Sequence, residues 1–258
     1  MEKKARMELE DLDKAKDQFI LTTQHHLRTP LTIIKGFLDT TLTKKEKKLD
    51  EETVDYLRKA SEASDRMAKL ISDFLGVSQL EVGKAIFKFQ PTNLKNIIEE
   101  IINELDSEIK KRNLRVLVEF SAETGGVVGN VDQEAMKAAL YNLIDNAVKY
   151  TSEGSITVSG SVARHPIEKN KILRIIIRDT GIGIPPSELP KMFERYFQRG
   201  ETAEKMYTTG RGIGLVLSKN IIKAHNGSIT VESAGIGKGS TFIVELPAWD
   251  TKGVSTSR

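Results

Sequence analysis

Three segments rich in asparagine or glycine, at residues 142–150, 179–185 and 210–215, constrain the fold of this chain most strongly. The first carries two asparagines four residues apart, so on a helix their amide oxygens share one face. Such oxygens suit a hard cation such as Mg²⁺. A glycine run that opens a helix presents free N–H groups and the positive end of the helix dipole to phosphate. The three segments therefore predict a magnesium-nucleotide site.

The composition excludes several other classes of protein. The chain has 258 residues, of which 39% are apolar, so it is long enough for two domains with a core. A net charge of +3 gives no case for nucleic-acid binding, and the absence of cysteine excludes disulfides and cysteine-zinc sites.

No apolar stretch approaches the ~20 residues of a membrane span, and the polar start at residues 1–6 does not resemble a signal peptide. We therefore expect a cytoplasmic protein, or the cytoplasmic part of a membrane-anchored one, that makes no membrane contact through this segment.

The first third of the chain predicts two long amphipathic helices, over about 3–43 and 50–80, because apolar residues recur there at spacings of three or four. Asp50 is the expected N-cap of the second helix. Two such helices joined by a short loop form a hairpin with two narrow apolar stripes. Pairing with a second copy into a four-helix bundle covers both stripes, so we predict a homodimer.

The rest of the chain mixes strands and helices, which predicts an α+β sandwich with one mixed sheet and helices on one face. The expected strands are 85–89, 115–120, 127–128, 155–162, 172–178, 228–232 and 240–246. The expected helices are 93–112, 132–150 and 212–225, with Asn93 and Asp132 as the N-caps of the first two. We interpret the polar stretch 198–209 as a lid. His225 ends the last helix, where a positive charge would suit the helix dipole.

The order and spacing of these segments resemble the cytoplasmic catalytic core of a bacterial two-component sensor histidine kinase, over residues 14–247. One Gly-x-Gly alone would be weak evidence, but five boxes in order are specific. The matching segments are 25–30 (H box), 142–151 (N box), 179–184 (first G box), 193–197 (F box) and 210–215 (second G box), with 237–242 also fitting.

The resemblance implies a dimeric helical hairpin followed by an α+β sandwich of the histidine kinase, gyrase and chaperone ATPase type. It also implies domain limits. These are 1–82 for dimerisation and histidine phosphotransfer, with a coiled-coil lead-in over about 1–16, then 83–248 for ATP binding and 249–258 as a tail.

The resemblance further implies a role for each matching residue. His25 accepts the γ-phosphoryl group of Mg·ATP, which a neutral imidazole nitrogen can do at pH 7. Thr29, one helical turn later, resembles a position that helps orient water when the partner is dephosphorylated. Asn146 binds Mg²⁺, and Asp179 accepts a hydrogen bond from the adenine amino group. The other implied nucleotide contacts are Asn142, Lys149, Tyr150, Gly181, Gly183, Gly210, Gly212, Gly214 and Leu215.

In the family, the phosphoryl group then passes to an aspartate on the receiver domain of a response regulator. Two positions depart from the family pattern. His26 stands where an acidic residue usually follows the acceptor, and we expect it to serve as an imperfect acid–base group. Gln198 stands where an arginine often reaches the γ-phosphate. Arg199 is the neighbouring candidate for that charge, and Arg195 and Arg211 remain open.

Other functions stay open at this point. A gyrase-type or chaperone-type ATPase shares the nucleotide fold but hydrolyses ATP with a glutamate. A dimeric scaffold could bind nucleotide only as a switch, and a core of this kind could act mainly as a phosphatase of the regulator. The input signal, the cognate regulator and the choice between cis and trans phosphorylation are not encoded in a recognisable pattern.

Overall fold

The computed structural model of the protein describes residues 27, 29–43, 49–81, 85–120, 128–164, 171–193 and 213–248. The chain forms two compact units, Met1–Ala85 and Ile86–Arg258. The predicted lead-in (1–16), lid (198–209) and tail (249–258) lie outside the described residues. Within those residues, none of the helices is both long enough and apolar enough to cross a lipid bilayer.

The described part of the first unit contains two helices, α1 (29–43, with Leu27 also helical) and α2 (Glu51–Glu81). The N-cap expected at Asp50 is present, because its Oδ1 accepts a hydrogen bond from the Thr53 N–H at 2.8 Å and its Oδ2 accepts one from the Thr53 hydroxyl at 2.7 Å. These bonds fix the start of α2.

The two helices run antiparallel, as a hairpin requires. The Ser64 hydroxyl donates to the Leu31 carbonyl at 3.4 Å, and the Ser61 hydroxyl donates to the Asp39 carboxylate at 3.0 Å. Leu31 and Ser64 are both buried at this contact. Position 31 therefore faces position 64 while position 39 faces position 61, which confirms the predicted helical hairpin.

The second unit combines seven strands with four α-helices and one short 3₁₀ helix (Leu189–Lys191) in its described part. The strands are β1 (Gln90–Asn93), β2 (Arg115–Phe120), β3 (Val128–Val131), β4 (Ser155–Arg164), β5 (Lys171–Asp179), β6 (Ser228–Glu232) and β7 (Thr241–Pro247). The helices are α3 (Leu94–Glu104), α4 (Asp106–Lys111), α5 (Gln133–Tyr150) and α6 (Gly214–Ala224).

The main sheet has the strand order β2-β4-β5-β7-β6, in which β2 and β4 are parallel and the other pairs antiparallel. This is the mixed sheet that was predicted. Helices α3 and α5 pack with it around one apolar core. The largest fully buried core side chains include Leu94, Ile97, Ile98, Ile101, Met136, Leu140, Leu143, Ile144, Ile156, Leu173, Ile175 and Ile177.

Two predictions of local structure were wrong, and a third falls on a residue outside the described part of the chain. Residues 85–89 form no strand, and the strand β1 begins after them and pairs with β3 in a second, two-stranded sheet. The helix expected over 93–112 is interrupted at Leu105, which separates α3 from α4. The last helix starts at Gly214, and Gly212 lies outside the described residues.

Helices α5 and α6 are antiparallel neighbours joined by hydrogen bonds at three levels. The Asn142 amide donates to the Gly214 carbonyl at 3.4 Å, and the Ser218 hydroxyl donates to the Ala139 carbonyl at 3.0 Å. At the far end, the N–H of Asp132, the N-cap of α5, donates to Nε2 of His225 at 3.0 Å. The pair therefore connects the asparagine-bearing part of α5 with the start of α6.

Candidate nucleotide-binding site

The site begins with the two asparagines of α5, one helical turn apart. Asn142 is buried and Asn146 is half-buried. A Cβ atom at Gly214 would lie 3.2 Å from Cγ of Asn142, so the glycine allows α6 to approach the amide closely. The structure therefore brings Asn142 and Gly214 together, as expected of residues in one site.

Lys149 lies in the last turn of α5 and is held by a neighbour on the same helix. Its Nζ forms an ion pair with Oδ2 of Asp145 at 2.5 Å. The guanidinium of Arg112 donates to the Lys149 carbonyl at 3.2 Å, which ties the end of α5 to α4. The ammonium group of Lys149 is thereby held on α5, three residues after Asn146.

Asp179 ends β5 as a buried carboxylate that is 5% exposed. Its Oδ1 accepts hydrogen bonds from the Gly181 N–H at 2.8 Å and the Ser240 N–H at 3.2 Å. Its Oδ2 accepts a hydrogen bond from the Ser240 hydroxyl. A carboxylate has about four lone-pair sites, so one acceptor position is left over for a ligand donor such as an exocyclic amine.

Gly181 is where the loop after β5 meets the end of α5. A Cβ atom at this position would lie 2.2 Å from the Tyr150 carbonyl oxygen, which accepts a hydrogen bond from the Ile182 N–H at 3.1 Å. Only a glycine allows this approach. Tyr150 and Gly181, both predicted site residues, are thus brought together through backbone contact.

Gly183 shapes the next part of the same loop. It has a φ of +70°, and a Cβ atom there would lie 2.0 Å from the Gly235 carbonyl oxygen. The Ser233 hydroxyl accepts a hydrogen bond from the Ile184 N–H at 2.9 Å and donates to the Gly239 carbonyl at 2.7 Å. The loop after β5 is therefore fastened to the β6–β7 loop, which also carries Ser240.

The first turn of α6 provides an anion-binding group. Its N-cap is Ile213, whose apolar side chain cannot accept a hydrogen bond from the first N–H groups. These N–H groups and the helix dipole favour a negatively charged ligand. Leu215 lies in this turn and is half-buried. Because Asn142 contacts Gly214, the start of α6 adjoins the helix that carries the predicted magnesium ligand, Asn146.

These residues fit a nucleotide, with Asp179 suited to the base, the start of α6 to phosphate and the Asn146 amide oxygen to Mg²⁺. A further feature would suit a ligand or a water. The Thr151 hydroxyl is fully buried and has no hydrogen-bond partner among the residues that the structure describes. It lies beside Gly181, since a Cβ atom on that residue would be 2.9 Å from Oγ1. Buried hydroxyls normally have a partner.

Some predicted site residues lie outside the described part of the chain. They are His25, His26, Arg199, Gly210 and Gly212. Thr29 is described and lies exposed on α1, in the first unit.

The structure also reveals site residues that the sequence did not single out. Ser240 bonds to Asp179, and Ser233 fixes the loop around Gly183. Ser240 lies in the segment 237–242 that fitted the family pattern, which was the available signal. Thr151 was the last residue of the N box but had no role assigned to it.

Comparison with family models identifies both units. Residues 15–83 match the model described as His Kinase A (phospho-acceptor) domain, and residues 131–250 match the model described as Histidine kinase-, DNA gyrase B-, and HSP90-like ATPase. The chain belongs to the sensor histidine kinases. The phospho-acceptor match contains the predicted acceptor His25, and the ATPase match contains the predicted nucleotide residues from Asn142 to Leu215.

Several sensor histidine kinases are similar along most of this chain. It is 32% identical to the circadian input-output histidine kinase CikA of Synechococcus elongatus over 233 residues, covering 90% of this chain and 30% of CikA. It is 32% identical to the aerobic respiration control sensor protein ArcB of Escherichia coli over 244 residues, covering 93% and 30%. The chain thus spans about a third of the length of these relatives.

Solved histidine kinase structures share the fold. Full-length ShkA superimposes with a TM-score of 0.72 at 22% identity, covering 90% of this chain and 46% of ShkA. The histidine kinase AdeS of Acinetobacter baumannii gives 0.58 at 22% identity, covering 88% and 98%. The catalytic domain of the histidine kinase ThkA gives 0.52 at 26% identity, covering 63% and 99%.

Proposed function

We propose that this chain is an ATP-dependent protein-histidine kinase that phosphorylates its own His25 and passes the phosphoryl group to an aspartate of a response-regulator receiver domain. The observation that carries the proposal is the buried Asp179 carboxylate, held by Gly181 and Ser240 in the same unit as the α5 asparagines and the open start of α6. Family membership supplies the acceptor domain.

Each group has one task in the proposed reaction. Asp179 accepts a hydrogen bond from the amino group of adenine, which selects this base over guanine. The N–H groups of the first turn of α6 bind the phosphates, and Lys149, oriented by Asp145, adds a positive charge. Asn146 would hold Mg²⁺, and the ion would neutralise charge on the phosphates.

The transfer forms a bond between a ring nitrogen of His25 and the γ-phosphorus and breaks the bond to the ADP oxygen. The attacking nitrogen must be unprotonated, and the proton on the other ring nitrogen can be taken by a neighbouring base. His26 is the candidate for that base. Phosphoryl transfer depends on positioning and charge neutralisation more than on covalent help, so a domain that aligns Mg·ATP with an imidazole is sufficient.

The similarity to ShkA supports the nucleotide assignment, because that structure was determined in complex with AMPPNP.

The hairpin supports a homodimer. The described part of the hairpin exposes several large apolar side chains, namely Leu27, Ile33, Ile34, Phe37, Tyr56 and Met67. Exposed apolar surface of this extent marks an interface, and a second copy of the hairpin covers it. Light scattering on the purified chain tests this, and a monomer at micromolar concentration would refute it.

The decisive experiment is incubation with γ-labelled Mg·ATP. We expect an alkali-stable, acid-labile label on the protein that is absent in His25→Ala and absent when EDTA removes the metal. His26→Ala is the matched control, because it replaces the adjacent histidine and should still be labelled, at a lower rate. A labelled His25→Ala protein would overturn the acceptor assignment.

Two other outcomes separate the alternatives. Nucleotide binding with no label on the wild-type chain would favour a nucleotide-dependent switch. Release of free phosphate without phosphoprotein would favour a hydrolase of the gyrase and chaperone type. Addition of a phosphorylated receiver domain and measurement of its decay would reveal a phosphatase.

A further inference from the structure

His225 is a buried histidine at the opposite end of α6 from the proposed phosphate-binding start. It follows the last residue of α6, and its side chain is 3% exposed. Its Nδ1 lies 2.8 Å from the Ile221 carbonyl oxygen, and its Nε2 accepts the hydrogen bond from the Asp132 N–H. The histidine therefore joins the end of α6 to the N-cap of α5.

These contacts fix the protonation state of the ring. A backbone N–H can only donate, so Nε2 must carry a lone pair, and a carbonyl can only accept, so Nδ1 must carry the hydrogen. The imidazole is neutral in this arrangement. The expectation that His225 carries a charge suited to the helix dipole was therefore wrong. The ring does donate to a carbonyl of the last turn, but as a neutral group.

The imidazole also packs against the segment by which the chain enters the second unit. We call residues 86–89 the entry segment, since they directly follow the boundary between the two units. The ring of Phe87 lies 4.8 Å from the imidazole and that of Phe89 lies 4.9 Å from it, measured between centroids. Between them, the Lys88 N–H donates to Oδ2 of Asp132 at 2.8 Å. The entry segment is thus held by two ring contacts and one hydrogen bond.

We propose that His225 is a positioning residue whose neutral imidazole fastens the entry segment to the start of α5, and that protonation of the imidazole releases it. A proton on Nε2 would place two N–H groups against each other and remove the bond to Asp132. Its charge would also be buried between two phenylalanine rings, although their faces can offset part of that cost. The contacts of Phe87 and Phe89 would be lost with the displaced ring.

Burial of the ring determines the direction in which the pKa of His225 moves, against the charge of Asp132. Burial lowers the pKa of His225 below its ordinary value of 6.5, although the Ile221 carbonyl and the charge of Asp132 act in the opposite direction. Burial would raise the pKa of Asp132, but hydrogen bonds from the N–H groups of Ala135 and Lys88 outweigh it and leave the pKa lowered. Asp132 therefore stays ionised while His225 titrates.

The charged residues nearest to His225 and Asp132 along these elements are exposed to solvent. Lys88 on the entry segment, Glu134 in the first turn of α5 and Lys223 on α6 are all exposed. Because the folded pKa of His225 is lowered, the fastened state has its full stability above about pH 6.5 and loses it as the pH falls toward the folded pKa.

Release changes how the second unit is connected to α2. With the entry segment fastened at Phe87, the connection after Glu81 comprises five residues, 82–86, and after release it comprises eight, 82–89. Three freed residues add about 10 Å of reach. The effective concentration of the bound nucleotide at the acceptor falls roughly as the −3/2 power of the length of this connection. The rate of phosphoryl transfer to the acceptor should therefore fall about twofold. This consequence rests on the proposed kinase activity, whereas the fastening itself does not.

The test follows amide hydrogen exchange in the full chain at about pH 7.5 and pH 5.5, after correction for intrinsic exchange. Protection of the Lys88 and Asp132 amides should fall between these pH values, by at most about tenfold if the released ring has an ordinary pKa. His225→Gln keeps a neutral acceptor and should show less than a twofold change. Phe87→Ala should lack protection of Lys88 at both pH values. Ile86→Ala is the matched control, since this neighbouring side chain is 93% exposed, and it should behave like the wild type.

The kinetic arm compares Phe87→Ala with Ile86→Ala at pH 7.5. We expect the former to autophosphorylate about twofold more slowly, with unchanged affinity for a fluorescent ATP analogue. The proposal would be overturned if the Lys88 amide were equally protected at both pH values in the wild type. It would also be overturned if His225→Gln lost as much amide protection as the wild type. A parallel loss of nucleotide affinity in Phe87→Ala would overturn it as well. A chain that shows no label in any variant would refute the kinase proposal, while the exchange data would still decide the fastening.

Discussion

Two glycines near the site differ in one respect that can be measured. Gly183 and Gly237 have nearly the same positive φ, +70° and +74°. A Cβ atom at Gly183 would lie 2.0 Å from the Gly235 carbonyl oxygen, whereas a Cβ atom at Gly237 would have no described atom within 4 Å. Replacement of each by alanine therefore separates backbone strain from steric overlap.

The expected loss of stability in each variant follows from these contacts. Alanine in the left-handed region costs about 1–2 kcal/mol at either position. Relief of the overlap at position 183 requires the Gly235 carbonyl to move by more than an ångström, and overpacking of this kind costs about 1–3 kcal/mol more. For a unit of this size, each kcal/mol lowers the melting temperature by about 2–4 °C. Gly183→Ala should thus melt several degrees below Gly237→Ala.

The assay is thermal unfolding followed by circular dichroism, with binding of a fluorescent ATP analogue measured on the same samples. Gly183→Ala should also weaken nucleotide binding, because the displaced loop carries Gly181, whose N–H bonds to Asp179. Gly237→Ala should bind normally. Equal melting temperatures for the two variants would refute the overlap and, with it, the position of this loop.

Other changes test individual groups. Asp179→Asn should weaken ATP binding by about 10–100-fold, since it removes a charged acceptor worth about 1.5–3 kcal/mol, while the exposed Asp106→Asn should not, as measured by titration of the same ATP analogue. Thr151→Val should raise the melting temperature of the nucleotide-free protein, because it removes a buried hydroxyl that has no partner among the described residues. Reduced ATP affinity in this variant would identify the partner of the hydroxyl as a ligand or a ligand-bound water. Asn146→Ala should lower the autophosphorylation rate at least tenfold and shift its Mg²⁺ dependence to higher concentration.

Local signals predicted most of the regular structure. Asp50 and Asp132 were expected as N-caps, and each accepts the hydrogen bond from the N–H three residues later. Asn93 was expected to cap α3 and accepts a bond from the Lys95 N–H at 3.0 Å. These predictions succeeded because a cap and the helix that it starts are adjacent in sequence.

The failures involve contacts between distant residues. The alternation at 85–89 is typical of a strand, but Phe87 and Phe89 pack on His225 instead of on a sheet. The strand β1 contains Pro91 and has little strand propensity of its own, and it forms by pairing with β3. A partner more than thirty residues away cannot be read from a local pattern.

The site shows the same division. The asparagines and glycines of the site were recognised from the sequence by residue type and spacing. Spacing along a helix and the conformational freedom of a glycine backbone are local properties. The hydrogen bonds of Ser240 to Asp179 and of Ser233 to the Gly183 loop depend on how β5 and β7 align in the sheet. Sequence therefore identified the groups suited to a ligand but not the neighbours that orient them.

The antiparallel pairing of α5 and α6 explains why the entry segment should affect delivery of the nucleotide and leave its binding unchanged. His225 meets Asp132 at one end of the pair, and Asn142 meets Gly214 ten residues along α5, about 15 Å away at the rise of an α-helix. Between these ends, the Ser218 hydroxyl is buried and bonds across the pair. Protonation of His225 breaks the outer contact only, because the two inner contacts contain no titratable group. The nucleotide end of the pair therefore keeps its geometry while the attachment of the chain changes, and this is why rate and affinity are expected to separate in the Phe87→Ala variant.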